Sequence, residues 1–315
     1  MHVIRTLCFY LCLLVVARAV DSNSTTASGR IIGGKPAKKG AYPEFVWIDV
    51  DVADEDGIAH QFSCGGTAIA KNLVLTAAHC LIFEPDYTIV GGTAYKGNIR
   101  YKKSGITADH TARFASWMVN PKFLKKGFDG HDMGIIVLKD NLPKPFAKLA
   151  RKGQEPPPGA KVTVVGFGDN NDFMTSLPPD TFPPMTGIQG ESNFPDRLYE
   201  VDLTVGKVST EPCPNERAGP KYEWFTPDRE FCLYGEEFYV KPDQNYESNG
   251  GVGIKNACHG DSGGPSFYKG VQVGVVSRGG EGMCSYTFRS PYSLHTKVAP
   301  HVPYFIRRVM EKYGR

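Results

Sequence analysis

Ser262 is the residue best placed to do chemistry, within the segment NACHGDSGGP at residues 256–265. The surrounding glycines allow a sharp turn that exposes the hydroxyl and brings backbone N–H groups close to a bound carbonyl. A serine on such a turn attacks a carbonyl carbon when a base removes its proton. By itself the segment is also compatible with an ordinary turn, so the interpretation requires a base elsewhere in the chain.

His79 and Asp132 are the residues that could activate this serine. His79 is the second-last residue of the segment LTAAHC, which continues from the apolar run NLVL that indicates a buried strand end. Asp132 opens the apolar run DMGIIVL. The histidine would accept the serine proton, and the aspartate would orient the ring and stabilise the imidazolium. Taken singly, each could be a core histidine or a strand-edge carboxylate. Together they follow the chain order of the chymotrypsin arrangement, which subtilisin and the α/β-hydrolases do not share.

On these three motifs the chain resembles the trypsin- and chymotrypsin-like secreted serine proteases, from Ile31 to about Tyr313. The resemblance implies an all-β fold of two six-stranded antiparallel β-barrels with a C-terminal α-helix and the active site between the barrels. It implies a serine endopeptidase that hydrolyses peptide bonds through an acyl-enzyme on Ser262. The backbone N–H groups of Gly260 and Ser262 would then form the oxyanion hole.

The distribution of apolar residues independently favours an all-β domain. Short runs rich in Val, Ile and aromatic residues recur between Gly and Pro breaks, which is typical of antiparallel barrels rather than of alternating β and α units. These runs lie at residues 45–50, 68–75, 88–90, 135–138, 161–166, 198–205 and 271–277. Near the C-terminus, apolar and aromatic side chains recur at close to the helical period, which predicts a helix over residues 302–313.

The N-terminal segment predicts export from the cell. Residues 1–19 carry Arg5, an apolar core and a final A-x-A pattern, which together indicate a cleaved signal peptide, and the apolar core is too short to span a bilayer comfortably. The resemblance implies that residues 20–30 form a polar activation propeptide and that residues 31–315 form the protease domain. We therefore expect a secreted, extracellular protein without a membrane partner. A formal net charge of +3 over 315 residues gives no support to nucleic-acid binding.

The junction Arg30–Ile31 is a candidate activation site. Cleavage after Arg30 would create an ammonium group on Ile31, and the resemblance implies that this group pairs with Asp261 and orders the oxyanion loop. A buried aspartate without a partner is costly, which gives the pairing its driving force. The chain would then be a zymogen that depends on an activating tryptic protease. The alternative is a flexible tail that leads into the first strand.

The cysteine content fits the secreted class. Of the eight cysteines, Cys8 and Cys12 lie in the signal peptide, and the remaining six permit fifteen pairings. The resemblance implies the bonds Cys64–Cys80, Cys213–Cys232 and Cys258–Cys284. The chain has no Cys-x-x-Cys pair that would indicate a zinc site. We expect no metal ion and no other cofactor.

The resemblance places Asn256 at the base of the S1 pocket, where trypsin-like enzymes carry an aspartate. A neutral amide cannot offset the desolvation of a buried Arg or Lys, so tryptic specificity is disfavoured. With Ala257 and Ser293, the pocket would accept a medium-sized polar or apolar side chain. Glu281 would restore a negative charge only if its loop folds inward.

The strand that pairs with substrate would contain Ser277, Arg278 and Gly279. Arg278 stands where the family usually has an aromatic residue. It would either pair with acidic substrate residues or point outward into solvent, and we favour the second.

Two insertions, at residues 169–196 and 233–255, exceed the usual loop lengths of the family. They would either rim the cleft and restrict which proteins enter it, or be tolerated surface loops. The expected partners are protein or peptide substrates, an activating protease and protein inhibitors, with the chain itself a monomer. A second function stays open, in which a catalytically weak homologue acts by binding or inhibiting another protein.

Overall fold

The computed structural model describes residues 31–83, 85, 87–102, 104–126, 128–168, 195–208, 210, 213, 225–239, 252–279 and 292–314. The strands in these ranges are β1 (Lys35–Pro36), β2 (Phe45–Asp54), β3 (Ala59–Ala70), β4 (Leu73–Thr76), β5 (Tyr87–Lys96), β6 (Arg100–Lys102), β7 (Gly105–Thr107), β8 (His110–Val119), β9 (Gly134–Leu138), β10 (Lys161–Gly166), β11 (Tyr199–Val205), β12 (Glu230–Tyr234), β13 (Glu237–Tyr239), β14 (Val252–Ile254), β15 (Pro265–Tyr268), β16 (Val271–Gly279) and β17 (Tyr292–Lys297). The α-helices are α1 (Pro121–Lys126) and α2 (Arg307–Tyr313).

The first barrel is closed by six antiparallel strands in the order β2-β3-β4-β9-β8-β5. On β2 the side chains of Val46, Ile48 and Val50 point to the same face and are fully buried, as the two-residue period of a strand requires. β9, whose sequence is GIIVL, is buried along its whole length. Burial of each such aliphatic side chain contributes about 1.5–3 kcal/mol relative to exposure.

The second barrel is closed because β11 pairs with both β10 and β12. Its six strands follow the order β11-β10-β15-β16-β17-β12, and β1 adds to the outer side of β11. The predicted fold of two six-stranded antiparallel barrels with a C-terminal helix is therefore confirmed.

Aromatic side chains join the two barrels. Phe45 and Trp47, on the second face of β2, pack with Val165, Phe167 and Phe267 of the second barrel. The rings of Trp47 and Phe167 meet edge to face with centroids 4.9 Å apart, a favoured arrangement for two aromatic side chains. This contact fixes one barrel against the other, and the cleft between them is the region where the predicted site residues lie.

Two predicted elements differ in detail. Residues 68–75, expected as one strand, contain the end of β3, a turn at Lys71 and Asn72, and the start of β4. The apolar residues on both sides of this short turn hide it from a reading of periodicity. The expected C-terminal helix is present but begins as a π-helix over Val302–Ile306 before α2, with Pro303 in the first turn, where its missing N–H is tolerated.

The predicted bonds Cys64–Cys80 and Cys213–Cys232 are both present. Cys258 is also disulfide-bonded. Cys284, its predicted partner, lies outside the described residues.

Three buried histidines make the fold sensitive to acid. His131 is 3% exposed and His295 and His301 are inaccessible to solvent, and burial lowers the pKa of His295 to about 3 and those of His131 and His301 to about 4. A histidine in an unfolded chain has a pKa of about 6.5. Between these values the unfolded chain binds more protons than the folded one, so stability is lost as the pH falls.

We expect the melting temperature to fall as the pH decreases from about 6.5 to about 4. In this range each of these histidines is protonated in the unfolded chain but neutral in the folded one, which lowers the free energy of unfolding by roughly 2–3 kcal/mol per histidine. Differential scanning fluorimetry across this range measures the slope. His295→Gln should make the slope shallower, whereas His110→Gln, at an exposed position, should leave it unchanged. An identical slope in all three proteins would contradict this account.

Candidate active site

Neighbouring strands of the first barrel bring His79 and Asp132 together. His79 follows β4 and opens a short 3-10 turn, Asp132 precedes β9, and Thr76 of β4 pairs with Gly134 of β9. Asp132 Oδ2 lies 2.7 Å from His79 Nδ1, and Asp132 Oδ1 accepts the backbone N–H of His79 at 2.9 Å. The Cys64–Cys80 bond anchors the residue after the histidine to β3.

Asp132 is fully buried and remains in its charged form. Burial raises the pKa of this carboxyl, but the charge and hydrogen bonds of His79, together with the Ser277 hydroxyl that donates to Oδ2 at 2.6 Å, hold the pKa below its usual value. Burial lowers the pKa of His79, and Asp132 outweighs that effect, so the net shift is upward. The arrangement favours a ring whose Nδ1 carries the proton shared with Asp132 and whose Nε2 is the basic atom.

The turn that carries Ser262 belongs to the second barrel but docks on the first. The carbonyl of Ser262 accepts the backbone N–H of Gly65 at 2.7 Å. Gly263 has a φ of +77°, and a Cβ there would lie 2.1 Å from Thr76 Oγ1 and 2.5 Å from the carbonyl oxygen of Gly65. Only glycine fits this conformation and this close approach. The contact fixes the serine turn against Thr76, which precedes His79 by three positions in the sequence.

Within the described residues, no hydrogen bond joins Ser262 Oγ to His79. In ligand-free active sites such bonds are often long and shorten only when substrate binds. The backbone N–H groups of Gly260 and Ser262 donate no hydrogen bond to any described residue, and Gly260 has a φ of +90°. As far as the described residues show, both N–H groups can donate to a substrate oxygen.

Asp261 and Ile31 are both completely buried. The Asp261 carboxylate accepts the backbone N–H groups of Gly168 at 2.7 Å and Cys258 at 2.9 Å. Burial raises the pKa of Asp261 to about 7 in spite of these two bonds. Next to Ile31, Ile32 forms an isolated antiparallel bridge with Asn256, which connects the N-terminal segment to a predicted pocket residue.

The predicted pocket residues are buried polar and small groups. Asn256 is 1% exposed, and its side-chain oxygen accepts the N–H of Ala257. Ser293 pairs with Gly279 across β16 and β17, and its hydroxyl lies 2.9 Å from His295 Nε2. His295 Nδ1 lies 2.6 Å from the hydroxyl of Ser266. Glu281 falls outside the described residues.

The expectation that Arg278 points into solvent is wrong, because its side chain is 11% exposed and its Nη1 lies 2.5 Å from Oε1 of Glu230. Glu230 is itself completely buried. Burial raises the pKa of its carboxyl, and Arg278 and Thr226 oppose that rise, so the carboxylate form is the counter-ion that allows the guanidinium to fold inward. Sequence reasoning missed Glu230 because it precedes Arg278 by 48 positions. The available signal was a glutamate directly before the apolar run FCL.

Most of the two insertions, residues 169–194 and 240–251, lies outside the described residues. The described ends of the second insertion contain β13 and β14, which pair as a two-stranded antiparallel ribbon. Their proposed role at the cleft rim stays a prediction.

The trypsin family model matches residues 31–221 and 228–303 of this chain. The chain belongs to the trypsin family. It is a chymotrypsin-like serine endopeptidase, and its substrates are therefore proteins or peptides.

Two relatives of this trypsin-family protein show the extent of the similarity. Human kallikrein-7 is 28% identical over 280 residues, which cover 87% of this chain and 87% of kallikrein-7. Trypsin delta of Drosophila erecta is 27% identical over 265 residues, which cover 82% of this chain and 81% of that trypsin. A solved structure described as "Structure of GrC" aligns with a TM-score of 0.58 at 23% identity, covers 89% of this chain and 99% of that chain, and supports the fold.

In the described part of the trypsin-family domain, no helix is long and apolar enough to cross a membrane. The same residues contain no group of three or more His, Cys, Asp or Glu side chains arranged to hold a metal ion.

Ser277→Ala should lower kcat by about tenfold or more, because Asp132 loses a charge-assisted hydrogen bond that helps to orient His79. Steady-state kinetics with a cleaved peptide, normalised to folded protein, measures the effect. Ser63→Ala is a matched control, because it removes a 2.8 Å hydrogen bond to Asp49 on the first barrel, away from the site. Equal activities of the two variants would contradict the assignment.

Proposed function

We propose that this protein is a secreted endopeptidase, made as a zymogen, that cleaves peptide bonds through an acyl-enzyme on Ser262. The observation that carries the proposal is the His79–Asp132 pair, with its aspartate fully buried and its histidine partly exposed, next to a serine turn that is docked onto the same barrel. The available N–H groups of Gly260 and Ser262 support an oxyanion hole at this turn.

In the proposed reaction, His79 Nε2 takes the proton of Ser262 Oγ as this oxygen attacks the substrate carbonyl carbon. The oxyanion that forms accepts hydrogen bonds from the two backbone N–H groups, each worth about 3–4 kcal/mol in comparable sites. The C–N bond then breaks, and the proton on Nε2 passes to the leaving amine. Water repeats these steps on the acyl-enzyme and regenerates the serine hydroxyl. Asp132 stabilises the imidazolium throughout.

Two features of the intact chain support activation by cleavage after Arg30. Ile31 has a φ of +53°, which for a β-branched residue is a strained conformation that costs about 1–3 kcal/mol. Cleavage removes the preceding peptide unit and with it this strain. The new ammonium group would also supply the positive charge that the buried carboxylate of Asp261 requires. The Ile32–Asn256 bridge would transmit the rearrangement to the S1 pocket.

The character of the S1 pocket supports cleavage after residues other than Arg and Lys. Asn256 presents a neutral amide that already accepts a backbone hydrogen bond, and the hydroxyl of Ser293 is engaged by His295. A substrate cation buried here would meet no carboxylate from these residues, and its desolvation would be uncompensated. Medium-sized polar or apolar side chains suit the site better.

The segment before Ile31 supports secretion. Residues 1–19 have the composition of a signal peptide, and residues 20–30 have that of a removable leader. The disulfide bonds fit an oxidising, extracellular environment. We propose that the active form comprises residues 31–315 and acts as a monomer that protein inhibitors regulate.

Incubation of a diverse peptide library with the protein processed at Arg30–Ile31 tests the proposed function. We expect cleavage after medium-sized polar or apolar residues, and Ser262→Ala should abolish it. Enrichment for Arg or Lys would overturn the pocket assignment. No cleavage by folded, processed protein would instead favour the catalytically weak homologue that acts by binding another protein.

Processing should also change how stability depends on pH. In the intact chain the raised pKa of Asp261 means that this carboxyl holds a proton in the folded state that it has lost in the unfolded one, so its own contribution to stability falls as the pH rises from about 4 to about 7, opposite to that of the buried histidines. Pairing with the Ile31 ammonium removes this loss, and the processed protein should gain up to about 4 kcal/mol at neutral pH and less at pH 5.

Thermal unfolding of the intact and processed forms at both pH values measures this gain. Asp261→Asn should lose the part of the gain that differs between the two pH values and most of the activity, whereas Asp202→Asn, at an exposed position of β11, should retain both. A difference between the two pH values that persists in Asp261→Asn would show that the ammonium pairs elsewhere.

A further inference from the structure

Five residues form a continuous polar cluster beside the His79–Asp132 pair, which we call the cleft-wall cluster. They come from the loop before β9, the segment that leads into β12, and β16. Two ion pairs make up the cluster, and Thr226 connects them. The members are Asp129, Thr226, Arg229, Glu230 and Arg278.

The bonds of the cluster are specific. Arg229 Nη2 lies 3.3 Å from Asp129 Oδ1, and Arg278 Nη1 lies 2.5 Å from Glu230 Oε1. The Thr226 N–H donates to Glu230 Oε2 at 2.8 Å, and the Thr226 hydroxyl donates to Asp129 Oδ1 at 3.1 Å. Two cations face two anions, so the cluster has no net formal charge.

Stability alone does not explain why this position holds a buried ion pair and not apolar residues. The desolvation of Glu230 and Arg278 costs several kcal/mol per ion, and well-packed apolar residues are often at least as stabilising. A charged pair at this position therefore points to a role in the chemistry next to it.

Arg278 contacts two groups that surround His79. Its guanidinium carbon lies 5.5 Å from the centroid of the Phe128 ring, within the range of a cation–π contact, and that ring lies 5.9 Å from the His79 ring. Arg278 Nη1 also donates to the hydroxyl of Ser277 at 3.4 Å, and Ser277 donates to Asp132. The guanidinium therefore touches both the aromatic and the polar neighbour of the catalytic pair.

The charge of Arg278 also acts on the histidine. Asp132 raises the pKa of His79, and Arg278 lowers it. Among the described residues, the charged groups near Arg278 include Glu230 at the start of β12, Asp132 through the Ser277 hydroxyl and, further along the cluster, Arg229 and Asp129. Glu230 contacts the guanidinium directly, and its carboxylate form therefore limits the field that Arg278 exerts on His79.

We propose that the Arg278–Glu230 ion pair is a positioning element of the active site, which holds Phe128 beside His79 and sets the strength of His79 as a base. Arg278 and Glu230 act through other residues and contact no reacting atom. The inference rests on the proposed role of His79 as the general base.

Three variants of the processed protein separate the charge of the pair from its packing. Glu230→Gln keeps an acceptor for Thr226 and leaves the guanidinium charge unopposed. The double variant Arg278→Met with Glu230→Gln removes both charges. Arg278→Lys keeps the positive charge but loses the planar group that lies over Phe128. As a control, Arg113→Met with Asp51→Asn removes an exposed arginine–aspartate pair from β8 and β2.

The readout is the pH profile of kcat/KM with a cleaved peptide, together with kcat and KM at the optimum. Titration of Ser262 with a fluorophosphonate normalises each value to folded, reactive protein. The acid limb should move to lower pH in Glu230→Gln and to higher pH in the double variant, with at least about 0.3 pH unit between them. Arg278→Lys should keep the wild-type acid limb and lower kcat about threefold or more at similar KM.

Acid limbs that coincide in Glu230→Gln, the wild type and the control would overturn the inference, even if the double variant fails to fold. A loss of activity that disappears on normalisation to reactive Ser262 would do the same, because it would show a structural role alone. If processed wild-type protein does not react with the fluorophosphonate at all, the proposed function fails first, and the inference falls with it.

Discussion

The active site depends on one contact between the barrels, the hydrogen bond from the Gly65 N–H to the carbonyl of Ser262. Gly65 lies on β3, and its own carbonyl accepts the Thr76 hydroxyl at 2.8 Å, so the same residue ties the histidine strand to the serine turn. Gly263 completes the contact, because a methyl group there would collide with Thr76 and push the barrels apart. The turn of the proposed nucleophile and the strand that precedes the proposed base are therefore joined through backbone groups of Gly65, whose positions change little with side-chain motion.

Around this contact, three carboxylates are withdrawn from water and compensated in different ways. Asp132 receives the imidazole of His79 and the hydroxyl of Ser277, and its pKa is held low. Glu230 receives a guanidinium. Asp261 receives only two backbone N–H groups from the described part of the chain, and its pKa rises to about 7. The first keeps Asp132 charged beside His79. The second leaves the pKa of Glu230 above its usual value in spite of the guanidinium, and the third leaves Asp261 without a cationic partner among the described residues.

The sequence was sufficient for the features that follow from local pattern. The motifs around His79, Asp132 and Ser262 identified the family and thereby the two barrels. The apolar runs marked eight of the twelve barrel strands and missed β8, β12, β15 and β17. It was not sufficient where two distant residues must meet. The turn at Lys71 and Asn72 is too short to interrupt the apolar pattern, and the inward fold of Arg278 depends on a buried glutamate in another strand. Long-range pairings of this kind follow from the closure of the barrel, which periodicity does not encode.

The central claim is that Ser262 is a nucleophile that His79 activates. The most direct measurement is peptide mass spectrometry of the processed protein after reaction with a fluorophosphonate, for the wild type and for His79→Ala. We predict a single covalent adduct on Ser262 in the wild type and little or none in the variant at the same reaction time. An adduct on another residue, or equal labelling of Ser262 in both proteins, would contradict the account.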